Sequence, residues 1–218
     1  MSEEIVIHGV PGSPYLRSAL LGLEEKGLPY RLNAIELETR HSSEYLKLQP
    51  FGRIPVMEHG DFRLYETQAI LRYIDTLGSA SAPALQPRDS RASARMNQIV
   101  GIVDWYVFPM ISVGITAERL MSHVFWNRPP DETNIAKSLP NARVCILELA
   151  RLKGDAPFMT GDSLSIADLM LAPHLEFFQA TPEGLELLSG TTMQRWLTRM
   201  SLRASMHATQ AERLRKSA

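Results

Sequence analysis

Gln49 to Asp75 reads QPFGRIPVMEHGDFRLYETQAILRYID. Val56 and Met57 follow Ile54-Pro55, and an apolar run opened by proline forms a strand only at an edge or where the preceding residue keeps its backbone groups out of the ladder. Ile54 is therefore able to pair with something outside the sheet. His59-Gly60-Asp61 supplies the φ-permissive residues of a hairpin turn, and Phe62 and Leu64 alternate with polar Arg63 before Tyr65. Ile70, Tyr73, Ile74 and Leu77 then recur at helical spacing. The helix they define starts beside Glu66 and Thr67, where exposed N–H groups, the positive end of the helix dipole and a hydroxyl suit a carboxylate. Glu66 suits an ammonium. Together the pair fits the two ends of an α-amino acid.

Upstream, Ile5 to His8 is a short β-prone run broken by Gly9, Pro11 and Gly12. Ser13-Pro14 then reads as N-cap and first helical residue, and Leu16, Leu20 and Leu23 repeat until Gly27 and Pro29 stop the helix. Tyr30 to Leu37 is a second strand, and a strand, a helix and a strand this close in sequence imply a right-handed parallel crossover. A polar segment from Glu38 to Ser43 and a brief helical piece from Glu44 to Leu48 lead on to the hairpin.

Downstream, Ser79 to Pro87 is rich in Ser, Ala and Pro without apolar periodicity and reads as a linker. The expected division is residues 1–79, a linker at 80–89, and a helical domain at 90–218. Met96, Ile99, Val100, Val103 and Val107 predict a long helix to about Ile115. Trp126 to Asp131 reads as a loop. A helix follows from Ile135 to Leu152, either kinked or restarted at Pro140. Ser165 and Asp168 form a capping box, with Leu164 and Leu169 as its hydrophobic staple, and are assigned to stability. Short helices are expected around Leu185 to Leu188 and Trp196 to Met200, and the basic tail with Arg213, Arg215 and Lys216 reads as a solvated terminus.

The chain has 218 residues, 44% of them apolar and 22% charged, which suits two globular domains. A formal net charge of −1 gives no electrostatic case for nucleic acid or an anionic membrane as partner. No leader and no apolar run long enough to span a bilayer is apparent, so a cytoplasmic protein is expected. The single cysteine, Cys145, lies among Ile146, Leu147 and Leu149 and reads as an inert core thiol without metal-ligand spacing.

Gln49-Pro50-Phe51-Gly52-Arg53-Ile54-Pro55 and Glu66-Thr67-Gln68-Ala69-Ile70 resemble two motifs of the cytosolic glutathione S-transferases, an NPFG-x-x-P loop with a cis-proline and an E-S-x-A-I helix start, with Gln for Asn and Thr for Ser. Gly161 to Leu169 also matches the capping-box motif of that family's C-terminal domain. The resemblance implies a thioredoxin-like α/β N-terminal domain followed by an all-α helical domain. It implies glutathione as co-substrate, no metal, and a homodimer. It further implies that Ser13 activates the thiol, as in the serine-type classes, including bacterial phi-, theta- and zeta-like proteins. Ile54 beside cis-Pro55 would pair with the glutathione cysteine, and Glu66 and Thr67 would take its γ-glutamyl end. Arg40 and His41 stand where relatives bind the glycine carboxylate, although a solvated charge cluster reads equally well. Gln49 and Arg53 could touch the tripeptide or be ordinary loop residues, and Phe51 could fill a core or a dimer contact.

The hydroxyl of Ser13 could instead only cap its own helix, and Tyr15 is its rival as thiol activator or a residue at the pocket rim. A small hydrophobic electrophile would need an apolar pocket, for which Tyr106 and Met110 are nominated, with His123 and Trp126 as a conceivable lid. The expected function is a glutathione transferase with these two substrates. The alternatives are a glutathione-dependent isomerase, dehalogenase, ether-cleaving or peroxide-reducing enzyme, or a non-catalytic transferase-like dimerisation module.

Overall fold

The computed structural model describes residues 3–78 and 82–217. The chain divides into two compact units: residues up to Gln86 together with those from Leu202 onward, and Pro87–Ser201. Of the expected linker, residues 79–81 lie outside the described residues.

The first unit is built on four strands. β1 (Ile5–Gly9) leads through α1 (Pro14–Lys26) to β2 (Arg31–Ala34). A 3-10 turn (Glu38–His41) and α2 (Ser43–Leu48) follow, then the hairpin β3 (Val56–His59) and β4 (Phe62–Tyr65), then α3 (Thr67–Leu77). The sheet order is β2-β1-β3-β4, with β1 parallel to β2 and the other pairs antiparallel. This is the thioredoxin-like arrangement that the family resemblance implies.

Successive residues of a strand face opposite sides of a sheet. Ile5, Ile7 and Met57 therefore share the face covered by α1 and α3, where Leu16, Leu20, Leu23, Ile70 and Ile74 complete a core. The other face carries the buried Val6 and Val56 beside polar residues, and one polar residue from each strand joins a chain across it. Asn33 Nδ2 lies 2.8 Å from His8 Nδ1, His8 Nε2 lies 2.8 Å from Glu58 Oε2, and Arg63 Nη2 donates to Glu58 Oε1 at 2.9 Å. An amide N–H donating to Nδ1 leaves the proton of a neutral imidazole on Nε2, aimed at the carboxylate. Burial pushes the Glu58 carboxyl up, but the bonds from Arg63 and His8 outweigh it and hold it below its ordinary value.

Asp75 closes the far end of this unit. Its carboxylate accepts from Lys26 Nζ at 3.0 Å, from the backbone of Leu85 at 2.8 Å and from Gln86 Nε2 at 3.1 Å. Leu85 is fully buried. Leu85 and Gln86 are thus pinned to α3.

The second unit is helical. α4 is one continuous helix, Ser90–Trp126, whose middle, Val103–Ala117, is wound as a π-helix around Pro109. Ile99, Val103, Val107, Ile111 and Ile115, four residues apart, are all fully buried. On an α-helix that spacing drifts by about 40° per step, and the wider π winding keeps the stripe on one face. The helix runs past Ile115 because nothing breaks it before Asn127, which adopts φ 48°. By length and composition alone α4 could cross a bilayer, since an 18-residue window has mean hydropathy 1.7 with 44% of it buried. The expectation that no such run exists is corrected: the length was underestimated, and its apolar stripe serves the core of this unit.

α5 (Glu132–Lys153) passes through Pro140 without restarting, and α6 (Ile166–Phe178), α7 (Pro182–Leu188) and α8 (Thr192–Ser201) follow. At the start of α6, Asp168 is fully buried and accepts from Ser165 N, Ser165 Oγ, Met159 N and Trp196 Nε1 at 2.8 to 2.9 Å. Leu164 and Leu169 of the staple are both buried. The capping box therefore also fastens α8 and the segment before α6. The last two helices, α9 (Ala204–Ala208) and α10 (Ala211–Ser217), belong to the first unit, where Leu214 joins the core of Leu16 and Leu20. Between the basic residues of the terminus an apolar one finds a core; Arg213 is exposed as expected, and the side chains of Arg215 and Lys216 lie outside the described residues.

Glu118, 2% exposed, accepts both Arg128 Nη atoms at 2.8 and 2.9 Å, Asp131 N at 3.0 Å and Asn134 Nδ2 at 2.9 Å. The hydrogen bonds from Arg128, helped by those from Asp131 and Asn134, lower its pKa from 4.5 to about 2. A carboxyl depressed in the folded state contributes stability above its unfolded value, and that contribution disappears as pH falls through the folded one. Glu118→Gln should cost roughly 2 kcal/mol at pH 7. Urea denaturation down a pH series should then show the gap from wild type narrowing between 4.5 and about 2.

Candidate active site

Strand register brings four loops to one end of the sheet. His8 pairs with Val56, Val56 with Tyr65, and Gly9 with Ala34. The ends of β1, β2 and β4 and the start of β3 therefore coincide. From that end leave the Gly9 to Ser13 turn, the chain towards Arg40 and His41, and Glu66-Thr67; into it comes Ile54-Pro55. These are residues that sequence motifs single out from separate parts of the chain.

Ser13 is half-buried at the N-cap of α1, and its hydroxyl oxygen accepts from Leu16 N at 3.4 Å. Pro14 follows as first helical residue. A hydroxyl has one proton and two lone pairs, so capping consumes an acceptor and leaves the proton to give. Tyr15 lies in the same first turn, half-buried.

The peptide bond between Ile54 and Pro55 is cis. The β1–β3 ladder starts at Val56, so Ile54, half-buried, stays outside it. The approach loop is held by Gln49, only 1% exposed, whose Oε1 accepts from Phe51 N at 2.7 Å and Arg53 N at 3.1 Å. Tyr45 OH donates to the Arg53 carbonyl at 2.9 Å. Burial raises the Tyr45 phenol to about 12, so it remains a donor at every working pH. Gln49 is thus a brace inside the loop, not a surface contact, and the Arg53 side chain is exposed. Neither Gln49 nor Tyr45 carries a sequence signal for this bracing beyond the former's place in the motif.

Gly52 sits at φ 61°, and a Cβ there would come to 3.0 Å from His41 Nδ1 and 3.3 Å from the Arg40 carbonyl. Only a glycine lets the 3-10 turn approach this closely. His41 is exposed, and Arg40 is half-buried with its Nε buried and without a hydrogen-bond partner. A buried unpaired donor is costly unless something brings an acceptor, and a carboxylate would do so.

Glu66 precedes α3 with φ 68° and an exposed side chain that makes no cap bond to the helix. A left-handed glutamate is uncommon, and nothing in the sequence signals it. It turns the chain so that Thr67, 6% exposed, opens the helix while the Glu66 carbonyl accepts from Ala69 and Ile70. The first N–H groups of α3 thereby point beyond the helix end.

In the helical unit, Tyr106 and Met110 line a cavity of about 450 Å³ between α4 and α5, together with Ile102, Trp105, Asn141 and Val144. Cys145 also faces it, and burial raises its thiol to about 11, which makes it inert at neutral pH. His123 and Trp126 are exposed at the end of α4, where the Arg128 guanidinium stacks 4.7 Å from the Trp126 ring. Among the described residues no group of three His, Cys, Asp or Glu could hold a metal.

A thioredoxin-like sheet in a chain that continues as a helical unit is the architecture of the glutathione S-transferase fold. Residues 7–82 match the N-terminal domain of glutathione S-transferases and residues 145–199 the C-terminal domain. Glutathione S-transferase hmp2 of Hypomyces subiculosus is 26% identical over 196 residues, covering 88% of this chain and 92% of that protein. Poplar glutathione transferase F1 is 27% identical with a TM-score of 0.84, covering 99% of each chain. A glutathione S-transferase-I solved with lactoylglutathione shares the fold at 22% identity and TM-score 0.83, covering 95% of this chain and 99% of that one.

The chain belongs to the cytosolic glutathione S-transferase family, which binds glutathione as substrate. It is an enzyme of that kind, a glutathione transferase.

Replacing Gln49 by Leu would leave the Phe51 and Arg53 N–H groups without the acceptor that orders them. Loss of about 2 kcal/mol is expected in thermal unfolding, together with weaker glutathione binding by calorimetry if Ile54, which the loop carries, pairs with the tripeptide as the resemblance implies.

Proposed function

We propose that the chain is a serine-type, phi-like glutathione transferase in which Ser13 donates to the sulfur of glutathione and joins it to a small hydrophobic electrophile. The observation that carries this reading is the strand register that delivers Ser13, Ile54 and Thr67 to one end of the sheet. The F-type names of several relatives support the class. Residues 1–79 act as the glutathione-binding domain, and the helical unit Pro87–Ser201, without the last two helices that the expected 90–218 domain included, supplies the electrophile pocket. The protein works in the cytoplasm, where a lone thiol such as Cys145 stays reduced.

Glutathione lies with its cysteine backbone along Ile54, next to Pro55. Its γ-glutamyl carboxylate meets the Thr67 hydroxyl and the N-terminus of α3, and its ammonium meets Glu66. The glycine carboxylate lies toward Arg40, His41 and Arg53, where the unpartnered Arg40 Nε finds its acceptor. A free cysteine thiol titrates near 8.5, so ionising it at neutral pH requires roughly 1.4 to 3 kcal/mol of selective thiolate stabilisation. The Ser13 hydroxyl and the N-terminus of α1 provide it from one place. Tyr15 lines the rim. The thiolate then attacks the electrophilic carbon, a C–S bond forms, and the leaving group departs with the bonding pair.

Tyr106 and Met110 would seat the electrophile in the cavity they share. A different occupant of the same cavity, in place of the electrophile, is favoured by the exposure of Trp105 at 77% and Val144 at 64% on its rim, an apolar surface that asks to be covered. Phe51 of a second copy is that occupant: it is 68% exposed and meets Tyr65 only edge-on, with ring centroids 6.1 Å apart. The protein is then a homodimer.

Ser13→Ala should lower kcat for an aryl halide about 10- to 100-fold with little change in glutathione KM, and move the pH-rate profile towards alkaline values. An unchanged profile removes Ser13 from the mechanism. Thr67→Ala should abolish retention on glutathione resin, and failure of the wild type to bind would favour a non-catalytic module. On a sizing column Phe51→Ala should elute as monomer with aryl-halide turnover per subunit retained. If Phe51→Ala stays dimeric, the cavity belongs to the electrophile alone.

A further inference from the structure

The end of the chain lies along α1, the helix that Ser13 caps. At its far end Glu25 accepts from Arg203 Nε and Nη2 at 2.6 Å each and from Ser205 Oγ at 2.5 Å. Two turns nearer Ser13, the Arg17 guanidinium donates from Nη2 to the Met206 carbonyl at 2.8 Å and from Nε to Thr209 Oγ1 at 3.2 Å. Leu214 then packs in the core with Leu16 and Leu20. A Cβ placed on Gly12, which has φ 102°, would lie 3.9 Å from that of Ala211, an ordinary van der Waals distance. The segment thus runs antiparallel to α1 and ends with α10 beside the Gly12-Ser13 turn.

Arg17 is 4% exposed and Thr209 fully buried, and the Thr209 hydroxyl passes a further bond to the Ser205 carbonyl at 2.9 Å. Burying a guanidinium is costly, and burial lowers its pKa to about 10. An apolar side chain could fasten a tail at less cost. What the planar fork adds is direction, since two donors set both the position and the orientation of what they hold. Arg17 N also donates to the Ser13 carbonyl at 3.0 Å, so the residue that grips the tail is the one closing the first turn after Ser13.

We infer that Arg17 is a positioning residue for the transferase reaction, acting through the chain's end: its grip on Met206 and Thr209 seats α10 against the Gly12-Ser13 turn and fixes how Ser13 presents its hydroxyl. The inference rests on the reading that Ser13 meets the glutathione sulfur. Arg203 holds the same segment at the other end of α1 and separates positioning from stability.

The test compares Arg17→Met, Arg17→Lys, Arg203→Met and Ser13→Ala, each assayed with glutathione and an aryl halide well below its melting transition. Arg17→Met should lower kcat about tenfold with glutathione KM within about twofold of wild type. Arg17→Lys should recover only part of that loss, because an ammonium still reaches the Met206 carbonyl but cannot present the two-donor fork that also holds Thr209. Arg203→Met should melt earlier yet keep its kcat. Wild-type kcat in folded Arg17→Met, or an equal loss in Arg203→Met, overturns the role of Arg17. If Ser13→Ala also keeps its kcat, the underlying reading of Ser13 falls; if Ser13→Ala loses activity and Arg17→Met does not, only the role of Arg17 falls.

Discussion

Proline has no amide hydrogen to give to a sheet, and the site depends on where that gap falls. Pro55 stands immediately before β3, so pairing with β1 begins at Val56 and the backbone of Ile54 stays outside the ladder. An edge of this kind is a template for an extended peptide, whose main chain can add its own hydrogen bonds. Everything else at the site is arranged about that gap. Gln49 and Tyr45 hold the loop that leads into it, Gly52 lets the Arg40-His41 turn close on it, and the left-handed Glu66 sets a helix start next to it.

The two roles that Ser13 could play do not compete. Capping uses a lone pair, through a bond from Leu16 N that at 3.4 Å is long, and the hydroxyl proton is left over. On the proposed mechanism a helix N-terminus and a hydroxyl proton would act from one residue on one developing negative charge, which is an economical way to favour a thiolate. The polar chain from Asn33 through His8 and Glu58 to Arg63 crosses the sheet's other face and ties all four strands together without touching that chemistry.

How much of this could be read from the chain follows from the range of the interactions. The hairpin, the helix start at Glu66-Thr67 and the Ser165 to Asp168 cap rest on neighbours a few residues apart, so local pattern reveals them. The winding of α4 is implicit in the four-residue spacing of Ile99, Val103, Val107, Ile111 and Ile115, although an ordinary helix is the default reading. The grip of Arg17 on Thr209 joins residues 192 positions apart, and no local pattern announces it. Gln49 looked like a surface residue because polar loop residues usually are, and only the closed loop shows its amide turned inward. The φ of Glu66 has no sequence signature at all, since asparagine or glycine would be the usual choice there.

The central claim is that a tripeptide thiol pairs with the backbone of Ile54. Amide hydrogen exchange at Ile54, measured with and without saturating glutathione, tests it most directly. Protection of at least about tenfold at that amide is the predicted result. Unchanged exchange at Ile54 in a protein demonstrably saturated with glutathione would contradict the account.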